Sequence, residues 1–161
     1  MSLEDKAAIT DLIYRYCRAV DRIDVDLGRS IWHADAVADY GDFYRGPGRD
    51  VIDLICSQHE RTLACSHQVT NILIEVDGDR AASESYAIAA LRMAAESGER
   101  QITVWTRYLD RWSKRGGQWA LDKRQEVRDF DEIRDVQPVD KAPPRAPASN
   151  DPSSALFGAT R

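Results

Sequence analysis

Near His67 the hydrophobic spacing of this 161-residue chain changes from a three-and-four pattern to a period of two, which limits the folds open to it. Before that point Ile9, Leu12, Ile13, Tyr16, Cys17 and Val20 form the apolar stripe of a helix. Ser2 with Asp5 three residues on has the form of a capping box, and the helix should run to about Asp21. Asp24 caps a short second helix with Leu27, Ile31 and Trp32 inward, and Ala36 to Tyr40 reads as a strand. The turn Arg45-Gly46-Pro47-Gly48 precedes a third helix, capped by Asp50 and bearing Val51, Ile52, Leu54 and Ile55. After the change, Asp77-Gly78 marks a hairpin, Ser83–Met93 pairs with Gln101–Trp112 across Ser97-Gly98, and Gly116-Gly117 turns into a strand containing Trp119, Leu121 and Val127. Helices grouped first and a meander to about Phe130 grouped second predict an α+β domain, a cup-like curled antiparallel sheet covered by three N-terminal helices. The domain is expected over residues 1–135. A Pro-, Ala- and Ser-rich tail is expected over 136–161, with Ala155-Leu156-Phe157 apolar enough to dock over the mouth of the cup or on a neighbouring subunit.

Composition narrows the function. The net charge of -5, with acids and bases interspersed, argues against a nucleic-acid partner. The Met-Ser-Leu-Glu-Asp-Lys start has no basic and apolar leader pattern, and no stretch reaches about 20 apolar residues, so a soluble cytoplasmic protein without membrane contact is expected. Cys17, Cys56 and Cys65 form no CxxC pair, an odd count that fits reduced thiols in a core, with Cys65 lining the pocket. His33 and His59 lack metal-ligand spacing and the Gly46 turn lacks a phosphate-cradle pattern, so no metal or cofactor is expected.

Asp21 stands out chemically. It lies on the shoulder of the apolar stripe and in the last helical turn, where the helix dipole disfavours an acid. Two readings are open: a carboxylate leaning into water, or one held by a partner. Alternation from His67 puts Val69, Asn71 and Leu73 on one strand face, where Asn71 either hydrogen-bonds a substrate oxygen or closes a turn. Tyr86 and Trp105 either line an apolar wall or are plain core.

Several fragments in fixed order carry a resemblance over roughly Asp5 to Phe130: Ile9-Thr10-Asp11-Leu12 with Ala19-Val20-Asp21-Arg22, Ile31-Trp32 with Asp35-Ala36-Val37, Ser66-His67 with Asn71, Val76-Asp77-Gly78-Asp79-Arg80-Ala81, and Arg107-Tyr108 with Gly117-Gln118-Trp119. Together they resemble the SnoaL-like branch of the nuclear transport factor 2-like superfamily, which implies a cone-shaped α+β barrel. Its functions range from dehydratases, isomerases and cyclases to binding modules. The nearest functional pattern is that of the scytalone dehydratase and hexachlorocyclohexane dehydrochlorinase type, which implies an Asp-His dyad at Asp21 and His67 and a catalytic Arg at Arg124. Tyr16 stands where the dehydrochlorinase type has a Lys, and the sequence shows no counterpart of the paired tyrosines and second His of scytalone dehydratase.

The resemblance thus implies a small cofactor-free lyase or isomerase. His67 would take a proton from carbon, and Arg124 or Tyr16 would stabilise a departing group of an apolar, cyclic molecule. Tyr16, Cys65, Val69, Asn71, Tyr86 and Trp105 are the expected substrate contacts. The competing readings are a cyclase or steroid-isomerase type using the acid alone, and a non-catalytic ligand-binding or accessory subunit. A homo-oligomer, dimer or trimer, is expected because the outer face of the curled sheet should carry Ile102, Val104 and Trp112, which one layer of helices cannot wholly cover.

Overall fold

The computed structural model describes residues 2–96, 98–140 and 150–158. Helix α1 spans Leu3–Arg22 and is capped by the Ser2 hydroxyl, which accepts the Glu4 N–H at 3.1 Å. It buries Ile9, Ile13, Tyr16, Cys17 and Val20, the face that their spacing predicts. It stops at Ile23, whose φ of 56° is left-handed and rare for a β-branched residue. The N–H groups of Ile23 and Asp24 both return to the Ala19 carbonyl, which closes the helix end. Helix α2, Val25–Ser30, starts at Asp24, whose carboxylate accepts the Leu27 N–H at 3.0 Å. Helix α3 is Gly48–His59 and begins two residues before the predicted cap, so Asp50 lies in its first turn. Gly48 can start it because Trp32 packs directly on its backbone: a Cβ there would sit 2.1 Å from a ring carbon.

Six strands follow the order β2-β1-β6-β5-β4-β3. They are β1 (Trp32–Asp39), β2 (Arg45–Pro47), β3 (Ala64–Asp77), β4 (Arg80–Ala95), β5 (Gly98–Arg115) and β6 (Gln118–Val136). Strands β3 to β6 form the predicted antiparallel meander, with Gly78, Gly116 and Gly117 at positive φ in its tight turns. Of the predicted Ser97-Gly98 turn, Ser97 lies outside the described residues. Local patterning did not reveal β2, nor the parallel pairing of β1 with β6 that extends the sheet.

The sheet curls around the helices, and strand parity assigns each residue a face. Tyr108 meets Tyr16 of α1 edge-on at 5.7 Å between ring centres, which marks its side as the inner face. Unbroken β4–β5 pairing puts Ala81, Ser83, Ser85, Ala87 and Ala89 with Trp112, Asp110, Tyr108, Thr106 and Val104 on that face. This corrects the expected oligomer surface. Trp112 is core, its indole N–H donating to Ser83 Oγ at 2.8 Å, and Ile102 and Val104 share its side of the sheet. The outer face instead carries Tyr86 and Ile88 beside Trp105, which stacks on Phe130 at 4.8 Å.

Of the predicted tail, residues 141–149 and 159–161 lie outside those described. A short helix, α4 (Pro152–Gly158), docks against α1 of the same chain. Asp151 pairs with Arg22 at 2.9 Å, Arg18 donates to Ser153 Oγ at 2.8 Å, and the Arg18 guanidinium covers the Phe157 ring. No helix among the described residues is long and apolar enough to cross a membrane.

Candidate active site

The carboxylate at the end of α1 is held by a partner. Asp21 Oδ1 lies 2.6 Å from His67 Nδ1, and Asp21 Oδ2 accepts the His67 backbone N–H at 2.9 Å. Both oxygens therefore serve one residue of β3. This satisfies an acid that the helix dipole disfavours and pins the end of α1 to the sheet. A carboxylate accepts only, so in the neutral ring Nδ1 carries the proton and Nε2 is the acceptor nitrogen. Nε2 has no hydrogen-bond partner among the described residues. The two side chains keep only 8% and 14% exposure, which leaves a narrow approach to the ring.

Support comes from behind. His59, at the end of α3, is buried, with Nδ1 2.9 Å from the Val20 carbonyl and its ring centre 5.6 Å from that of His67. Cys65 Sγ reaches the Val20 and Asp21 carbonyls at 3.8 Å and His59 Nδ1 at 3.5 Å. His59 and Cys65 thus grip the last turn of α1 that presents Asp21. All three cysteines are buried and none is in a disulfide. Burial pushes the Cys17 thiol up to about 12, with nearby Arg124 opposing and Asp21 reinforcing the shift. Cys17 therefore lies in the fields of both Asp21 and Arg124, on one wall of the cup.

Arg124 projects inward from β6 into a second polar centre. Its Nε and Nη2 donate to the two oxygens of Asp110, each at 2.8 Å, and both side chains are wholly buried. The guanidinium carbon lies 4.2 Å from the Tyr16 ring centre and 4.1 Å from that of Tyr108. The Tyr16 and Tyr40 hydroxyls meet at 2.9 Å. Burial drives the pKa of Tyr16, Tyr40 and Tyr108 upward, so all three stay neutral phenols able to donate. Burial opposes the charge on Arg124, but Asp110 and the surrounding tyrosines outweigh it and raise its pKa further. Arg124 eases the Tyr40 phenol without a well-formed hydrogen bond to it, and Nη1 has no partner among the described residues. An unpaired buried donor of this kind costs ~1–3 kcal/mol unless something accepts from it.

Other expected contacts fall elsewhere. Cys65, His67 and Val69 do share the inner face of β3. Asn71 does not join them: it takes φ of 50° in a bulge between Thr70 and Leu73, its side chain exposed. The extra residue inverts the alternation, so Ile72, Ile74 and Val76 point inward while Leu73 is exposed. Tyr86 and Trp105 stand on the outer face, opposite Arg107 and Ile88, because the alternating pairs Ser85–Tyr108 and Ala87–Thr106 point inward. The sequence gives no site role to Tyr40 or Asp110, nor to Tyr108, which enters only as part of the resemblance. The Tyr16 and Tyr40 hydroxyls meet across 24 residues, a contact that no local pattern announces. The one available signal was Asp110 as an isolated acid at an inward parity in β5.

Two hollows stand out among the described residues, and neither is lined by Asp21, His67 or Arg124. One of about 440 Å³ is bordered by Tyr40, Phe43, Glu126 and Arg128, against the tyrosine cluster. A larger one of about 610 Å³, ringed by Asp35, Arg80, Arg111, Lys114, Arg115 and Lys123, lies at the turn end of the sheet and is too charged for an apolar guest. Among the described residues no group of three or more His, Cys, Asp or Glu is placed to hold a metal ion.

Comparison with solved structures identifies the architecture. The hexachlorocyclohexane dehydrochlorinase LinA Type2 superimposes with a TM-score of 0.74 at 21% identity, over 88% of this chain and 95% of that one. A putative scytalone dehydratase from Novosphingobium aromaticivorans DSM 12444 gives 0.72 at 21% identity, over 88% and 97%. A nuclear transport factor 2-like protein of the same organism gives 0.64 at 20% identity, over 77% and 81%. No functionally curated protein matches the sequence significantly. The SnoaL-like domain family matches residues 1–125, and with the α+β fold and unclosed six-stranded sheet in agreement, the chain belongs to that family on the nuclear transport factor 2-like fold.

Proposed function

We propose that this protein is a small cofactor-free lyase or isomerase, in which His67 takes a proton from carbon of an apolar, cyclic small molecule. The observation that carries this reading is the double grip of Asp21 on His67. One contact sets the tautomer and the other fixes the strand, so Nε2 is the basic atom. As the proton arrives, the Asp21 carboxylate stabilises the imidazolium across the 2.6 Å contact. Positioned acid-base groups of this kind contribute about 10²- to 10⁴-fold. The solved relatives whose names include a dehydrochlorinase and a putative scytalone dehydratase support an elimination.

The leaving group is the less constrained half. Arg124 was the expected stabiliser of a departing anion, but Asp110 neutralises it and no surface of it is exposed. That observation favours a proton shift or loss of a neutral group, with the Tyr16–Tyr40 hydroxyl pair as the donor to developing charge. We take the homo-oligomer and a cytoplasmic setting as parts of the same proposal.

The test is solvent deuterium incorporation by NMR into a panel of cyclic ketones, β-hydroxy ketones and halogenated cyclohexanes, with wild type, His67→Ala and Asp21→Asn. Exchange or elimination that His67→Ala abolishes supports the dyad. Turnover that survives His67→Ala but not Asp21→Asn assigns the chemistry to the acid alone. No turnover of any compound by wild type favours the binding-module reading.

A further inference from the structure

The inward positions of β4 from Ala81 to Ala89 carry nothing larger than serine, so this strand adds little bulk to the cup. Ser83 is engaged by Trp112, as described above. The Ser85 hydroxyl is not: the residue is wholly buried and its Oγ has no hydrogen-bond partner among the described residues. Ser85 is the cross-strand partner of Tyr108, and Arg124 lies against the ring of that same tyrosine. Two unpaired polar groups, Ser85 Oγ and Arg124 Nη1, therefore flank one side chain, in an interior where such groups are nearly always paired.

We infer that Ser85 and Arg124 Nη1 form a subsite for a neutral hydrogen-bond-accepting oxygen of the bound molecule, and that Asp110 excludes an anionic one. Both groups can donate, so the missing partner is an acceptor. Asp110 already cancels the Arg124 charge through two hydrogen bonds, so an incoming anion would place two negative charges on one buried cation. Glu126, the cross-strand partner of Tyr108 on the other side, adds a further acid nearby. A carbonyl, ether or hydroxyl oxygen meets the donors without that penalty. A hollow bordered by Tyr40 and Glu126 is lined by neither Ser85 nor Arg124, but Tyr40 pairs with the Tyr16 that packs on Arg124, and Glu126 is the cross-strand partner of Tyr108.

This inference rests on reading the cup as a small-molecule site but not on the dyad chemistry, and binding without turnover tests it. Cyclohexanone and cyclohexanecarboxylate are titrated at neutral pH into wild type, His67→Ala and Ser85→Ala, followed by amide chemical shifts. Cyclohexanone should bind and shift signals around Ser85 and Tyr108, in wild type and His67→Ala alike, and more tightly than the carboxylate. Ser85→Ala should weaken it about fivefold, the loss of one hydrogen bond. Ser85→Ala should also melt no lower than wild type when free, since it removes an unpaired hydroxyl. Equal or tighter binding of the carboxylate, cyclohexanone affinity unchanged in Ser85→Ala, or no saturable binding of cyclohexanone would each overturn the inference. So would a crystal soaked in cyclohexanone that kept only water between Ser85 and Arg124. Loss of turnover in His67→Ala with cyclohexanone binding intact separates this subsite from the dyad.

Discussion

Asp21→Asn separates the structural and chemical duties of the dyad, and the geometry sets the size of each. An apolar shoulder and a helix end suggest that neutralising the acid would relieve the fold. The two contacts to His67 imply a net loss instead. An asparagine keeps an acceptor for the strand N–H and turns its NH₂ toward the ring, so the contact survives but loses its charge. Hydrogen bonds to charged groups contribute ~1.5–3 kcal/mol and neutral ones about 1, while relief at the helix end returns ~0.3–1 kcal/mol. The net cost is about 1 kcal/mol, or about 3 °C in Tm for a chain of this length. Asp21→Ala leaves the ring and the backbone N–H both unpaired and should cost ~2–4 kcal/mol, about 6–12 °C. Activity should respond in a different proportion. With an amide N–H facing Nδ1, the ring proton moves to Nε2 and the basic atom disappears; a wrong-tautomer substitution of this kind in the Ser-His-Asp triad lowers kcat by about 10⁴. Calorimetric melts and the ¹⁵N shifts of the His67 ring read the two effects directly. If Asp21→Asn kept the wild-type tautomer and rate while melting as low as Asp21→Ala, Asp21 would be a structural pin and the general-base assignment would fall.

Asp110→Asn should destabilise strongly in urea titrations, by ~3–5 kcal/mol, because it leaves the Arg124 charge buried without a counterion, while Arg124→Met combined with Asp110→Leu should cost far less. A loss below about 1 kcal/mol in the single variant would mean that Arg124 is solvated in solution. At the other end of α1, Asp5 accepts from Trp119 Nε1 at 2.8 Å and Lys114 Nζ at 3.0 Å, and these contacts, Trp119 first, hold its carboxyl below the usual range. Because the folded pKa lies below the unfolded one, the stabilisation is full above the ordinary carboxylate range of about 4 and is lost as pH falls through the folded value. Melts against pH should therefore show wild type and Asp5→Asn separated by a constant gap above about pH 5 and converging in acid; a gap that widened in acid would contradict the sign.

Local sequence carried the elements well. The stripe from Ile9 to Val20, the Asp24 cap and the Asp77-Gly78 and Gly116-Gly117 turns all depend on neighbours within a few residues, and each formed as its chemistry requires. Family resemblance pointed to Asp21 and His67, and the fold brings those two side chains into contact. Facing was harder. Tyr86 and Trp105 alternate as correctly as any inward residue, but this sheet carries apolar side chains on both faces, so a period of two does not say which face meets the helices. Asn71 shows the same limit more sharply, since one extra residue in a bulge inverts the strand beyond it and no local pattern announced the insertion. The cluster of Arg124 with Tyr16, Tyr40, Tyr108 and Asp110 draws on α1, β5, β6 and the residue that follows β1. Its members are ordinary in sequence and gain their meaning only through contact: a buried cation must find its counterion and its rings, and which ones it finds depends on how the sheet curls around α1.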